Sequence, residues 1–166
     1  MSNVTVTRAM LRECGFNGDI SNWDVSNVTD FWTMFANNSV FNQDVSSWDL
    51  SSAVTLSEMF YFATSFNQDI SDWDISNANN MNYMLDNTGL SDANKCAIHE
   101  SFSAQNNNWP YGGGSGGADW SNIDCPEPPF QPQTSSELVS AVNLWISDNA
   151  SALANYGHIS GWDVSL

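Results

Sequence analysis

Basic side chains are nearly missing from this 166-residue sequence: Arg8, Arg12 and Lys95 stand against 19 aspartates and glutamates, for a formal charge of −16. That balance argues against a nucleic-acid partner, because neutralising phosphates takes a lysine and arginine surface. An anionic membrane would repel the chain for the same reason. Long apolar runs are missing too, and none reaches the ~18 residues that cross a bilayer. Residues 1–9 have neither the basic start nor the apolar centre of a secretory leader, so any export signal has been removed or lies outside this stretch. Cysteine is limited to Cys14, Cys96 and Cys125, and histidine to His99 and His158. A chain of this size can bury a core without metals or a disulfide framework. What is abundant is aromatic: 13% of the residues, with eight tryptophans and nine phenylalanines. Acidic disordered chains are poor in such anchors, so the sequence reads as folded.

Internal periodicity organises the first half of the chain. Phe16-Asn17-Gly18-Asp19-Ile20-Ser21-Asn22-Trp23-Asp24-Val25-Ser26 returns, 25 residues on, as Phe41-Asn42-Gln43-Asp44-Val45-Ser46-Ser47-Trp48-Asp49-Leu50-Ser51, and again as Phe66-Asn67-Gln68-Asp69-Ile70-Ser71-Asp72-Trp73-Asp74-Ile75-Ser76. Each copy is followed by an apolar cluster: Phe31, Met34 and Phe35, then Leu56, Met59 and Phe60, then Met81, Met84 and Leu85. A partial copy with Val4 and Met10-Leu11 precedes them at a spacing of 24.

Ile20, Trp23 and Val25 among polar neighbours suit a short strand, and Phe31, Met34 and Phe35 at i, i+3, i+4 suit one face of a helical or 3₁₀ segment. The expectation is therefore an α/β solenoid: a leucine-rich-repeat-like right-handed coil stack with short strands and short helical segments, capped by helices. Such coils bury their apolar side only by stacking on one another.

The string F-N-x-D-I-S-x-W-D-V-S-n-V-T, followed by a Met-Phe pair, resembles the BspA-like surface-protein repeats over roughly residues 2–90. The resemblance implies the same repeat fold and a role in cell-surface adhesion. It also implies that Cys96 and Cys125 correspond to the family's terminal pair and are bonded in an oxidising compartment, which leaves Cys14 buried or free. In the family a helix stands before the array and covers its first coil. Here the corresponding helix stands last, which implies a permuted chain or one cut from a longer protein of tandem arrays.

Four segments follow. Residues 1–90 form the repeat array of about four coils. Residues 91–125 form a lid, with apolar residues at helical spacing after Ser91 and a run of glycines from Gly112 to Gly117 that reads as a flexible loop. Residues 126–133 form a stiff Pro-rich linker. Residues 134–166 combine a helix, expected over about 135–150 from the capping-box spacing of Thr134 and Glu137, with a last half-copy of the repeat, Ile159-Ser160-Gly161-Trp162-Asp163-Val164-Ser165. Leu138, Ala141, Val142, Trp145 and Ile146 make one apolar face of that helix.

Candidate chemistry is sparse. The columns Asp19, Asp44, Asp69 and Asp24, Asp49, Asp74, Asp163 recur at about one coil spacing, ~4.8 Å. Each is held by local backbone N–H groups, or the columns are screened by cations such as Ca²⁺; the first reading is preferred, because Asp beside Ser at a turn bonds its own backbone. The Asn17, Asn42, Asn67 column reads as an interior ladder. The Trp23, Trp48, Trp73, Trp162 column reads as an inward-facing stack rather than a sugar-binding row. Neither histidine is paired with a nucleophile by any spacing, and a carboxylate repeated in the same setting is a poor acid–base pair, since that chemistry needs two different environments. Catalytic and metal residues are therefore expected to be none. Sequons begin at Asn3, Asn27, Asn37 and Asn149.

The function expected is a non-catalytic extracellular or cell-surface structural or adhesive repeat protein. It binds a second copy of itself head to tail, with a host or matrix surface protein or glycan as a further partner class, and without nucleic acid or membrane insertion. No cofactor is expected, calcium being the one candidate kept open; the alternative is a carbohydrate- or calcium-binding module. The expected self-assembly interface comprises Val4, Met10 and Leu11 on the open first coil and Leu138, Val142, Trp145, Ile146, Ile159, Trp162 and Val164 on the last segment. If Cys125 is tied to the lid, a stiff tether of about nine residues reaches ~28 Å. Four coils already occupy ~19 Å, so a neighbouring molecule is the easier target.

Overall fold

The computed structural model describes residues 3–113, 115–123, 125, 134–148, 151 and 155. The chain divides into two compact units, Met1–Cys125 and Pro126–Leu166.

The first unit is a stack of turn-built coils closed at one end by a helix. Successive coils are joined by main-chain hydrogen bonds that repeat with the period of the sequence. Thr7, Ala9, Leu11 and Glu13 donate N–H to the carbonyls of Asp30, Trp32, Met34 and Ala36; Phe31, Thr33, Phe35 and Asn37 donate to Thr55, Ser57, Met59 and Tyr61; Leu56, Glu58, Phe60 and Phe62 donate to Asn80, Asn82, Met84 and Asp86. Along this row every coil gives N–H groups to the next and presents carbonyls to the one before, while beside it bonds of the opposite direction run from Thr29 N–H to the Thr5 carbonyl, Val54 N–H to the Thr29 carbonyl and Asn79 N–H to the Val54 carbonyl.

The expected α/β solenoid with strands is overturned. Among the described residues there are two helices and no strand, and the ladder reduces to isolated parallel bridges, Val6 to Asp30, Asp30 to Thr55 and Thr55 to Asn80. Two local causes account for this. Where a short helical segment was expected, φ turns positive twice per coil, at Ala9 and Glu13, Thr33 and Asn37, Glu58 and Phe62, Tyr83 and Asn87. A residue in the left-handed region ends both an extended strand and an α-helix. The intervening amides close β-turns instead, as Met34 N–H to Phe31 and Ala36 N–H to Thr33 do. Where a strand was expected, the N–H groups of Ser21, Ser26, Ser46 and Ser51 are taken by the carboxylates of Asp19, Asp24, Asp44 and Asp49 two residues earlier. They are not available to a neighbouring coil.

Packing supplies what the missing sheet does not. Phe31, Phe35, Phe41, Phe60 and Phe66 are fully buried, and their rings stack through the array, Phe35 on Phe60 at 5.2 Å and Phe41 on Phe66 at 6.1 Å. Each such side chain stabilises the fold by about 1.5–3 kcal/mol through burial. Trp48 and Trp73 are buried as well, so the tryptophan column faces inward; Trp162 lies outside the described residues. The asparagine ladder exists, with Asn42 and Asn67 N–H donating to the Oδ1 of Asn17 and Asn42, but it is exposed rather than interior.

Helix α1, Asp92–Gln105, closes the far end. Its N-cap Ser91 gives its own N–H to Asn67 Oδ1 and so continues the asparagine ladder. Ser101 Oγ donates to the Ser71 carbonyl, and Gln105 bonds both Ile75 N–H and the Trp73 carbonyl. Trp109, Tyr111 and Trp120 pack as a buried aromatic cluster behind it. The glycine run, read as a flexible loop, belongs to this lid: Gly116 accepts from Tyr83 N–H, and a Cβ on Gly117 would meet the Tyr111 ring at 2.9 Å. Cys96 and Cys125 are disulfide-bonded across a Cα separation of 5.5 Å.

In the second unit, α2 spans Ser135–Ser147, with Thr134 capping Glu137 N–H through its side chain. Ala141 is buried, while Val139 and Ile146 are exposed. The helix ends sooner than the 135–150 expected, and Asn149 and Ala150 lie outside the described residues.

Candidate functional site

The two ends of the stack are chemically unlike, and their difference defines the candidate site. At the lid end two donors of the last coil are met: Tyr83 N–H by the Gly116 carbonyl and Leu85 N–H by the Tyr111 hydroxyl at 2.6 Å. Burial pushes the Tyr111 hydroxyl's pKa up, which keeps it neutral in that position. At the opposite end, the carbonyls of Val6, Arg8, Met10 and Arg12 occupy the places where Asp30, Trp32, Met34 and Ala36 accept from a preceding coil, and they accept no hydrogen bond from the described residues.

Apolar side chains surround this row. Val6 is 52% and Met10 49% exposed, while Val4, Leu11, Phe16 and Trp23 are only partly covered by the core beneath them. Two of the chain's three basic residues are also here. Arg8 pairs with Asp30 and lies over the Trp32 ring, and Arg12 pairs with Glu13. Cys14 is a free thiol donating to the Leu11 carbonyl at 3.1 Å.

Of the residues expected at a self-assembly interface, Val4, Met10 and Leu11 therefore share this one end. Leu138, Val142, Trp145 and Ile146 lie on α2 of the second unit. There Ile146 is exposed, and Leu138, Val142 and Trp145 are half-buried. Ile159, Trp162 and Val164 lie outside the described residues.

The aspartates are engaged locally. Asp19, Asp24, Asp44, Asp49 and Asp119 each take both the N–H and the hydroxyl of the serine two residues on, and Asp74 takes the N–H of Ser76. These bonds hold the carboxyls below the ordinary carboxylate range, led by the backbone bond at Asp19 and Asp44 and by the serine hydroxyl at Asp24, Asp49, Asp74 and Asp119. Among the described residues no three His, Cys, Asp or Glu side chains converge as metal ligands. His99 accepts from the Trp109 indole at Nδ1, a role internal to the lid. No described helix is long and apolar enough to cross a membrane.

One exposed cluster escaped the sequence reading. Tyr61 meets Phe62 edge-on at 4.7 Å and approaches Tyr83 at 6.4 Å. Phe62 and Tyr83 are both exposed and both occupy left-handed turn positions, and no composition or spacing signal marks such positions when they are not glycine.

Comparison with curated proteins and with solved structures finds no match to either. A family model, of the family described as "Mycoplasma protein of unknown function, DUF285", matches residues 1–97. This stretch takes in the open end, all the repeat copies of the array and the first turns of α1, and it supports kinship with a surface-repeat family. The chain belongs to the DUF285 family.

Proposed function

We propose that this is a non-catalytic structural or adhesive module of the cell surface or extracellular space, and that it associates head to tail, its open first coil covered by the second unit of another copy. The row of carbonyls at Val6, Arg8, Met10 and Arg12, which meet no donor among the described residues, carries the reading. A main-chain edge beside exposed apolar groups is a template for another chain. Along this row the edge holds acceptors, so a partner seated on it brings donors there. The disulfide supports a second copy over the same one, because it holds Cys125 against α1 at the lid end. A contact between two different surfaces is not used up by one partner and propagates into fibres unless it closes a ring.

The finer kinship with BspA-like surface repeats, and with it adhesion to a host or matrix surface protein or glycan, belongs to this proposal. The calcium- or carbohydrate-binding alternative has less support, since the aspartates are occupied by serines and the tryptophan column faces the core.

Light scattering across a concentration series, for the full chain and for one lacking residues 134–166, is the test. Growth in mass with concentration that vanishes on truncation is expected. A full chain that remains monomeric, with a 134–166 peptide that does not bind the truncated array, would overturn the proposal.

A further inference from the structure

The open end lacks a second kind of partner, and that one fixes a register. Inside the array each buried indole reaches back to the preceding coil: Trp48 Nε1–H donates to the Ile20 carbonyl at 3.1 Å and Trp73 Nε1–H to the Val45 carbonyl at 2.9 Å, each 28 residues earlier in the sequence. The rings follow the same order, Trp23 lying parallel to Trp48 at 6.5 Å. Trp23 holds the identical place in the first coil. It is only half-buried, and its indole N–H has no acceptor among the described residues. The acceptor that would complete the series is the carbonyl of a residue in Ile20's place, one coil earlier.

The sequence contains such a residue. Ile159-Ser160-Gly161-Trp162-Asp163-Val164-Ser165 repeats Ile20-Ser21-Asn22-Trp23-Asp24-Val25-Ser26 with Gly161 for Asn22 as the single change. We infer that residues 159–165 of a second copy dock on the first coil in the register of the array, with the Ile159 carbonyl accepting from the Trp23 indole and Trp162 stacked on Trp23. The inference rests on the self-association reading and adds to it a specific joint. The donor of a neutral hydrogen bond that lacks a partner costs more than a bond that is never offered, so a half-buried indole N–H selects a carbonyl at that point over an apolar filler.

Cross-linking between full-length chains tests the register. In a Cys14→Ser background, Asn22→Cys molecules are mixed with Gly161→Cys molecules and treated with a short bis-maleimide. Both substitutions fall at polar or glycine positions of the repeat, and circular dichroism checks that the array is intact. A covalent dimer from the mixture is expected, with little product when Ser165→Cys, four places out of register, replaces Gly161→Cys. A mixture that self-associates by light scattering yet gives no 22–161 dimer overturns the register while leaving head-to-tail association standing. A mixture that does not associate at all overturns both. A chain carrying both cysteines that cross-links only within itself overturns the second copy as occupant. Trp23→Phe keeps the ring and removes the N–H, and should weaken association by a few-fold to about tenfold. An unchanged affinity counts against the Ile159 acceptor.

Discussion

The indole of Trp73 donates to the main-chain carbonyl of Val45 at 2.9 Å from a side chain that is 1% exposed. The same ring therefore fills the core and ties two coils together. Trp48 does this for Ile20, so Trp48→Ala should cost about 3–5 kcal/mol, from the cavity a lost ring leaves. Trp48→Phe should cost less, about 1–3 kcal/mol, because it strands a carbonyl without emptying the site. Urea unfolding of the two variants checks both values. A loss under ~0.5 kcal/mol for the alanine variant is the size of a surface substitution and would contradict the burial.

The repeat, its apolar columns, the inward tryptophans and the two helices could be read from the residues, because each depends on periodicity or on a cap. The backbone that joins them could not. Ile20, Trp23 and Val25 have strand-like side chains, but Asp19 and Asp24 capture the amides that a sheet would need. Phe31, Met34 and Phe35 have helical spacing, but Thr33 and Asn37 are left-handed, and Thr33, like Ala9, Glu58 and Tyr83, is a residue type that gives no warning of positive φ. The open end was legible as apolar side chains at Val4, Met10 and Leu11. Its main-chain polarity became visible only once the direction of the inter-coil bonds was known.

Acid should unfold the array through its Asp–Ser turns. Asp44 is held below the ordinary carboxylate range, first by Ser46 N–H and then by its hydroxyl. A carboxyl depressed in the folded state contributes stability that is present above its unfolded pKa and lost as pH falls through the lower folded value. Asp24, Asp49 and Asp74 add contributions of the same sign. Ser46→Ala removes one of the two donors to Asp44, so its acid-unfolding midpoint should move to higher pH than wild type. An unmoved midpoint, followed by tryptophan fluorescence, would mean that the turn contributes nothing to the linkage.

Salt and calcium separate the two readings of the aspartate columns. Asp49 is opposed by Asp74 and Asp24 in its own column, and the chain carries a formal charge of −16. Screening this self-repulsion should raise the melting temperature smoothly with ionic strength. At matched ionic strength, CaCl₂ should then do little more than NaCl. A saturating rise at micromolar calcium would instead reveal a bound ion, since ligands held by the folded state stabilise it by mass action.

The lid offers a pH dependence of the opposite sign. Asn106, the C-cap of α1, is 7% exposed; its Nδ2 donates to the carbonyls of both Ile75 and Ala78 at 2.7 Å, and its Oδ1 accepts from Asn108 N–H at 2.9 Å. It closes the last coil where the next repeat would otherwise lie. Asn106→Leu fills the space but strands acceptors on two coil residues, and should cost about 2–6 kcal/mol at ~1–3 kcal/mol for each of the two unmet carbonyls. Asn106→Asp keeps the acceptor and loses both donors, and it places a carboxylate against two carbonyl oxygens in a buried site, a costlier change at neutral pH. Protonation relieves that charge and restores one donor. The deficit of the aspartate variant relative to wild type should therefore shrink as pH falls from 7 toward 4, while that of the leucine variant stays constant. Urea unfolding of the three proteins at the two pH values separates these outcomes. If the two variants lose equal stability at both pH values, the amide donors of Asn106 do not hold the lid to the array.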